Sequence, residues 1–197
     1  MSAVLERTIS RTQNYGVKPR LITVAEYDRM IETGIYTEND RIELLNGEII
    51  EIMPKGPKHS VLNDVVLDLF KEKLGGKIYA RSQNPIILDN FSEPEPDIVL
   101  VKPPSKKYLQ SHPTPADILL VMEISDTTLI YDREAKAAAY SRNGIRQYLL
   151  LNLQNETIED FREPGADGYG FKRTLRKGDV FNLVAFPEIE INIDDLM

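Results

Sequence analysis

Hydrophobic positions change their period several times along this chain, and each change marks an element. Thr23 stands three residues before Glu26, the spacing of a capping box, ahead of the run Ala25-Glu26-Tyr27-Asp28-Arg29-Met30-Ile31. A helix is therefore expected to about Thr33, with Gly34 ending it. Residues 41–45 and 48–53 then alternate on either side of Asn46-Gly47, two residues that accept the positive φ of a tight hairpin turn. Past the break at 54–57, Val61, Leu62, Val65, Val66, Leu69 and Phe70 recur at three- and four-residue spacing. That pattern predicts a helix over about 58–74 with a wide apolar stripe. Gly75-Gly76 stop it, residues 77–88 read as one extended strand bent at Pro85, and 89–95 form a turn.

Two short apolar runs follow, Asp97-Ile98-Val99-Leu100-Val101 and Ile118-Leu119-Leu120-Val121-Met122. Turn formers bound both, so they read as neighbouring buried strands. The polar stretch 125–128 leads into an Ala-rich helix over about 131–142 that ends at Asn143-Gly144. A further buried strand is expected at 148–153, then short strands near 158–162, 170–175 and 180–184 as a β-rich C-terminal half-layer. The order is that of an α/β fold: a mixed β-sheet flanked by helices, with an extra N-terminal hairpin and C-terminal β-strands. No linker divides residues 21–197, so a single domain is expected behind a flexible arm over 1–20.

Composition narrows the chemistry. The absence of cysteine excludes disulfides, thiolate metal sites and thiol nucleophiles, and fits a cytoplasmic protein. His59 and His112 are the only imidazoles, which argues against a His-rich zinc site. Nothing in the sequence has the length and apolarity of a membrane span or signal peptide, so no membrane partner is expected. The net charge of -7 runs against simple phosphate binding, although active-site carboxylates count in that total.

Asp97 opens one apolar run and Glu123 follows the other, so the two acids are expected to meet at a sheet edge. Converging carboxylates repel unless a cation lies between them, and Mg²⁺ is commonly held by one or two carboxylates plus water and substrate phosphate. Asp132, Lys136 and Tyr140 are spaced i, i+4, i+8, hence on one side of the following helix, which places Lys136 over the acid pair. Two acids with an ammonium suit phosphodiester hydrolysis. Glu43, on the hairpin, is a candidate third carboxylate, and His59, at a helix start, a candidate phosphate ligand or proton shuttle.

With Pro96-Asp97, Glu123-Ile124 and Lys136 on a strand-strand-helix-strand frame, the chain resembles the PD-(D/E)XK nuclease superfamily. More narrowly it resembles the Uma-type restriction-endonuclease-like family, over about residues 21–191. That match takes in Glu43-Leu44-Leu45-Asn46-Gly47-Glu48, Met53 through His59, Glu93-Pro94-Glu95-Pro96-Asp97 and Val121-Met122-Glu123-Ile124-Ser125. The resemblance implies a restriction-endonuclease-like fold and a DNA endonuclease that takes Mg²⁺, with Mn²⁺ as a substitute. It also implies that Asp97, Glu123 and the main-chain carbonyl of Ile124 bind the metal, and that the protein is a homodimer. The superfamily pattern puts lysine two residues after the glutamate, where this chain has Ser125; the resemblance implies that Lys136 takes over that charge.

Each residue also has a structural reading. Asp97 caps a strand, Lys136 pairs with Asp132 on a helix surface, Glu43 is a solvated hairpin residue, His59 an exposed helix start, and Tyr140 and Tyr148 belong to the core. The displaced lysine and the acidic balance keep a second function open, a non-catalytic nucleic-acid-binding or interaction module on a degenerate nuclease fold. A carboxylate-pair sugar hydrolase is least supported, because the chain has no Trp and aromatics make up 8%.

Overall fold

A computed structural model describes residues 18–37 and 39–197. Most of the expected N-terminal arm lies outside the described residues. Helix α1 (Val24–Glu32) begins at the expected capping box: the Thr23 hydroxyl accepts from the Glu26 amide while the Glu26 carboxylate accepts from the Thr23 amide. Strands β1 (Ile42–Leu45) and β2 (Glu48–Glu51) pair antiparallel around Asn46 and Gly47, both at positive φ. Gly47 is also hemmed in, since a Cβ there would stand 2.6 Å from Leu21 Cβ. Gly47→Ala is therefore expected to cost at least about 1–2 kcal/mol from the left-handed backbone alone, read as a lower urea midpoint with unchanged slope.

Helix α2 (Pro57–Leu74) follows, and Gly75 at φ 52 ends it. Its buried face is His59, Asn63, Val66, Phe70 and Leu74, narrower than the apolar pattern suggests. Val61 and Val65 are exposed. The helix takes its orientation from the sheet it packs against, and two polar residues lie on that side. The strand expected over 77–88 is shorter: β3 covers only Tyr79–Ser82. Gln83 turns to φ 52, its amide donates to the carbonyls of Pro96 and Asp97, and the chain leaves the sheet.

The central sheet has the order β3-β4-β5-β6-β7-β8, with β4 (Ile98–Val101), β5 (Ile118–Ser125), β6 (Gln147–Asn152), β7 (Thr157–Arg162) and β8 (Phe171–Leu175). All neighbours are antiparallel except β5 and β6, which the third helix, α3, joins as a crossover. It runs from 129 to 142 and contains a π-helical turn at Asp132–Lys136. The C-terminal strands do not make a separate layer of their own. Strands β7 and β8 extend the central sheet, and only β9 (Val180–Leu183) and β10 (Phe186–Asn192) form a hairpin apart from it.

Alternation along the strands makes a core on each face. Ile98, Leu100, Leu120, Met122, Leu149 and Leu151 face α2 and the β9–β10 hairpin, packing on Val66, Phe70, Phe181 and Ile191. Val99, Val101, Val121, Tyr148 and Leu150 face α3, packing on Ala135, Ala139 and Tyr140. Among the described residues no helix is long and apolar enough to cross a membrane.

Candidate active site

Register brings the two acids together. Ile98 pairs with Met122, so one step further out Asp97 faces Glu123 across the antiparallel pair. Directly opposite residues share a face and stand about 5 Å apart at Cβ. The contact is tied at both ends: the Asp97 amide donates to Glu123 Oε2 at 3.2 Å, and the Ile124 amide donates to Asp97 Oδ2 at 2.8 Å. Both acids are buried.

Lys136 reaches them from the π-helical turn. Its Nζ lies 3.0 Å from Glu123 Oε1 and 3.1 Å from Glu43 Oε2, so it pairs with these acids and not with Asp132 on the helix surface. A π turn shifts side-chain direction relative to an α-helix, and such turns are frequent at functional sites. Tyr140, four residues on, donates to Glu123 Oε1 at 2.8 Å. Glu43 is buried rather than solvated, and its carboxylate also accepts from Tyr131 at 3.1 Å and from the Glu95 amide at 3.0 Å. It therefore holds the ammonium. Ser125, at the place of the superfamily lysine, donates to the buried Asp132, which also accepts from Thr128 at 2.7 Å.

His59 is buried too. Its Nε2 stands 3.1 Å from Asp97 Oδ2, while Nδ1 has no partner among the described residues. On the other oxygen, Lys55 Nζ donates to Asp97 Oδ1 at 2.6 Å. Sequence reasoning assigned Lys55 no role. Its signal was a lysine confined between Pro54 and Gly56-Pro57 at the start of α2, but nothing local says which acid it meets.

Burial penalises ionised carboxyls, but His59 and Lys55 outweigh it at Asp97 and hold this group down at about 2. At Glu123 burial pushes the carboxyl up, and the Lys136 charge opposes that push. Burial also opposes charge on Lys136, yet Glu123 and Glu43 together hold its ammonium well above the usual lysine range.

These groups line one cleft of about 680 Å³ between the β1–β2 hairpin, the start of α2 and the start of α3. Its lining carries Glu43, Glu51, Glu95, Asp97, Glu123, Asp126 and Asp132 against Lys55, Lys58 and Lys136. The excess of carboxylates favours cations over bare phosphate. Among the described residues no three His, Asp or Glu side chains gather as a cage. The donor set is an open one of two neighbouring carboxylates, which fits a hard ion that keeps several waters. The cations already resting on Asp97 and Glu123 show that both acids face positive charge.

A six-stranded mixed sheet flanked by helices, with paired acids on adjoining strands and a lysine on the crossover helix, defines a restriction-endonuclease-like α/β protein. The chain belongs to the Uma2 family, described as "Putative restriction endonuclease", whose model matches residues 24–194. Its fold is similar to that of "a putative nuclease belonging to DUF820" from Anabaena variabilis ATCC 29413. The TM-score is 0.67 at 17% identity, over 89% of this chain and 97% of that one. No curated protein matches the chain.

Proposed function

We propose that the protein is a Mg²⁺-dependent endonuclease that hydrolyses DNA phosphodiester bonds, with Asp97 and Glu123 as metal ligands. The main-chain carbonyl of Ile124 completes the protein's share of the ligands, and Mn²⁺ substitutes for Mg²⁺. The observation that carries this reading is the meeting of Asp97, Glu123 and Lys136 in one cleft from three separate elements. Family membership supports the same reaction class.

The bound ion supplies Lewis acidity to the phosphoryl oxygen and a more acidic water. The chain's own groups do the positioning. Glu43 and Glu123 fix the Lys136 ammonium beside the acid pair, where it offsets negative charge that grows as water attacks phosphorus. Tyr140 and the Asp97 amide orient the Glu123 carboxylate. His59, within reach of Asp97, accepts or returns a proton at the cleft wall. Cutting both strands of a duplex calls for two such sites, one from each protomer of a homodimer.

Purified protein is expected to nick supercoiled plasmid with Mg²⁺ or Mn²⁺, and Asp97→Ala or Glu123→Ala to abolish nicking in protein that remains folded by circular dichroism. Wild-type protein that cuts no DNA with either ion overturns the reading. The tie of Ser125 to Asp132, where the superfamily has its lysine, favours a second reading, a module that binds nucleic acid without cutting it. Under that reading, DNA retention is unchanged by Glu123→Gln.

A further inference from the structure

Asp97 meets cationic and donor groups on both of its oxygens. The Oδ1 atom takes the Lys55 ammonium at 2.6 Å, and Oδ2 takes His59 Nε2 at 3.1 Å and the Ile124 amide at 2.8 Å. Those donors take three of the carboxylate's roughly four lone-pair positions, and the one left, on Oδ1, lies beside the Lys55 ammonium, so a divalent ion bound there meets that charge. His59 is fixed in α2 and Ile124 in β5, each within regular structure. Lys55 is different. It lies in the irregular stretch between β2 and α2, on a four-carbon stem at the wall of the cleft, and its side chain is 24% exposed against 5% for Asp97. Of the three partners it is the one that moves without disturbing a helix or a strand.

What becomes of the displaced ammonium follows from the charge around it. Carboxylates outnumber lysines in the cleft lining, so an entering phosphodiester meets repulsion unless cations face it. An ammonium released from Asp97 at the cleft wall is such a cation. We propose that Lys55 is an internal counter-ion that a divalent metal displaces from Asp97, and that the freed ammonium then binds a phosphate of the nucleic-acid substrate. The proposal rests on the reading of Asp97 as a metal ligand.

Metal and substrate then load together. The metal releases Lys55 for the phosphate, and the phosphate holds Lys55 away from the metal's place. Each raises the affinity for the other by the same factor, as linkage requires. Lys55 in this sense weakens metal binding until a substrate phosphate takes up its ammonium.

Calorimetric titration with Ca²⁺, a hard ion taken by the same oxygen ligands, tests this with and without a short DNA oligonucleotide. The wild type is compared with Lys55→Met, Lys55→Arg, Lys58→Met and Asp97→Asn, all in the full chain. Without DNA, Lys55→Met is expected to bind Ca²⁺ about tenfold tighter than wild type, the size of one lost charge-assisted hydrogen bond. Lys55→Arg keeps the competitor and stays near wild type. Lys58, whose ammonium lies 3.1 Å from Glu156 and 3.3 Å from the Leu153 carbonyl, removes a charge from the same cleft but not from Asp97. Its methionine variant is expected to change Ca²⁺ affinity far less. With DNA present, the wild type gains Ca²⁺ affinity and Lys55→Met gains less.

Equal Ca²⁺ affinity in wild type and Lys55→Met overturns the proposal and leaves Asp97 as a ligand, provided Asp97→Asn abolishes binding. An undiminished gain from DNA in Lys55→Met also overturns it. Ca²⁺ and Mn²⁺ binding absent from every variant overturns the metal-site reading itself.

Discussion

Lys136→Met is expected to lower stability by about 3–5 kcal/mol, the cost of stranding a buried charge partner, and to abolish nuclease activity. The Lys136 ammonium is buried with Glu123 on one side and Glu43 on the other, at 3.0 and 3.1 Å. Methionine fills nearly the same volume, so the loss is one of charge rather than packing. Both carboxylates are then left without their cation, and burial drives at least one of them to take up a proton. A second substitution separates the structural part from the chemical one. Glu43→Gln in the Lys136→Met background removes one stranded charge and is expected to recover part of the stability, read by urea unfolding, while activity stays lost. A single variant that unfolds at the wild-type midpoint would show that the ammonium is not compensating these acids.

Glu93→Gln has the second large effect, and its signature is in pH. Glu93 is 4% exposed, its Oε2 lacks a hydrogen-bond partner among the described residues, and His112 Nε2 is 3.7 Å from Oε1. Burial, reinforced by the nearby Asp28 carboxylate, pushes the Glu93 carboxyl up to about 8. Below the ordinary value of 4.5 both folded and unfolded states hold the proton, and the group costs nothing. From there to about 8 the unfolded chain releases the proton while the folded one keeps it, so stability falls as pH rises. The whole loss is on the order of 4 kcal/mol.

A glutamine at this position stays neutral throughout. The difference between wild type and Glu93→Gln is therefore expected to shift in favour of the variant from pH 5 to pH 8. Equilibrium unfolding at several pH values measures this, and titrating groups distant from Glu93 cancel because both proteins carry them. A pH-independent difference would mean that Glu93 ionises normally. The site depends on this region, because the Glu93 backbone pairs with Leu44 of β1 and leads directly into Pro94-Glu95-Pro96-Asp97.

Local chemistry was legible wherever a residue type forces a backbone state. The capping box at Thr23 and Glu26, the Asn46-Gly47 hairpin turn and the glycine ends of the helices all act over a few residues, and they stand where the sequence places them. The short apolar runs also identified β4 and β5, because a run bounded by turn formers has few other stable fates. What failed depended on distant partners. Residues 83–88 have strand-like composition, but Gln83 turns away to bond Pro96 and Asp97. Val61 and Val65 continue an apolar pattern on α2, yet the sheet takes another face that includes His59 and Asn63.

The sequence by itself determined which chemical groups this protein holds and which short segments carry them, because propensity, capping and turn chemistry act between near neighbours. The meeting of Asp97 and Glu123 was expected from the sequence, but the tertiary structure alone decided the register that sets them opposite, that a π-helical turn aims Lys136 between Glu123 and Glu43, and that Lys55 rests on Asp97. Those are distances between residues far apart in the chain. They follow from strand register and from how a crossover helix lies on the sheet, and no local signal encodes either.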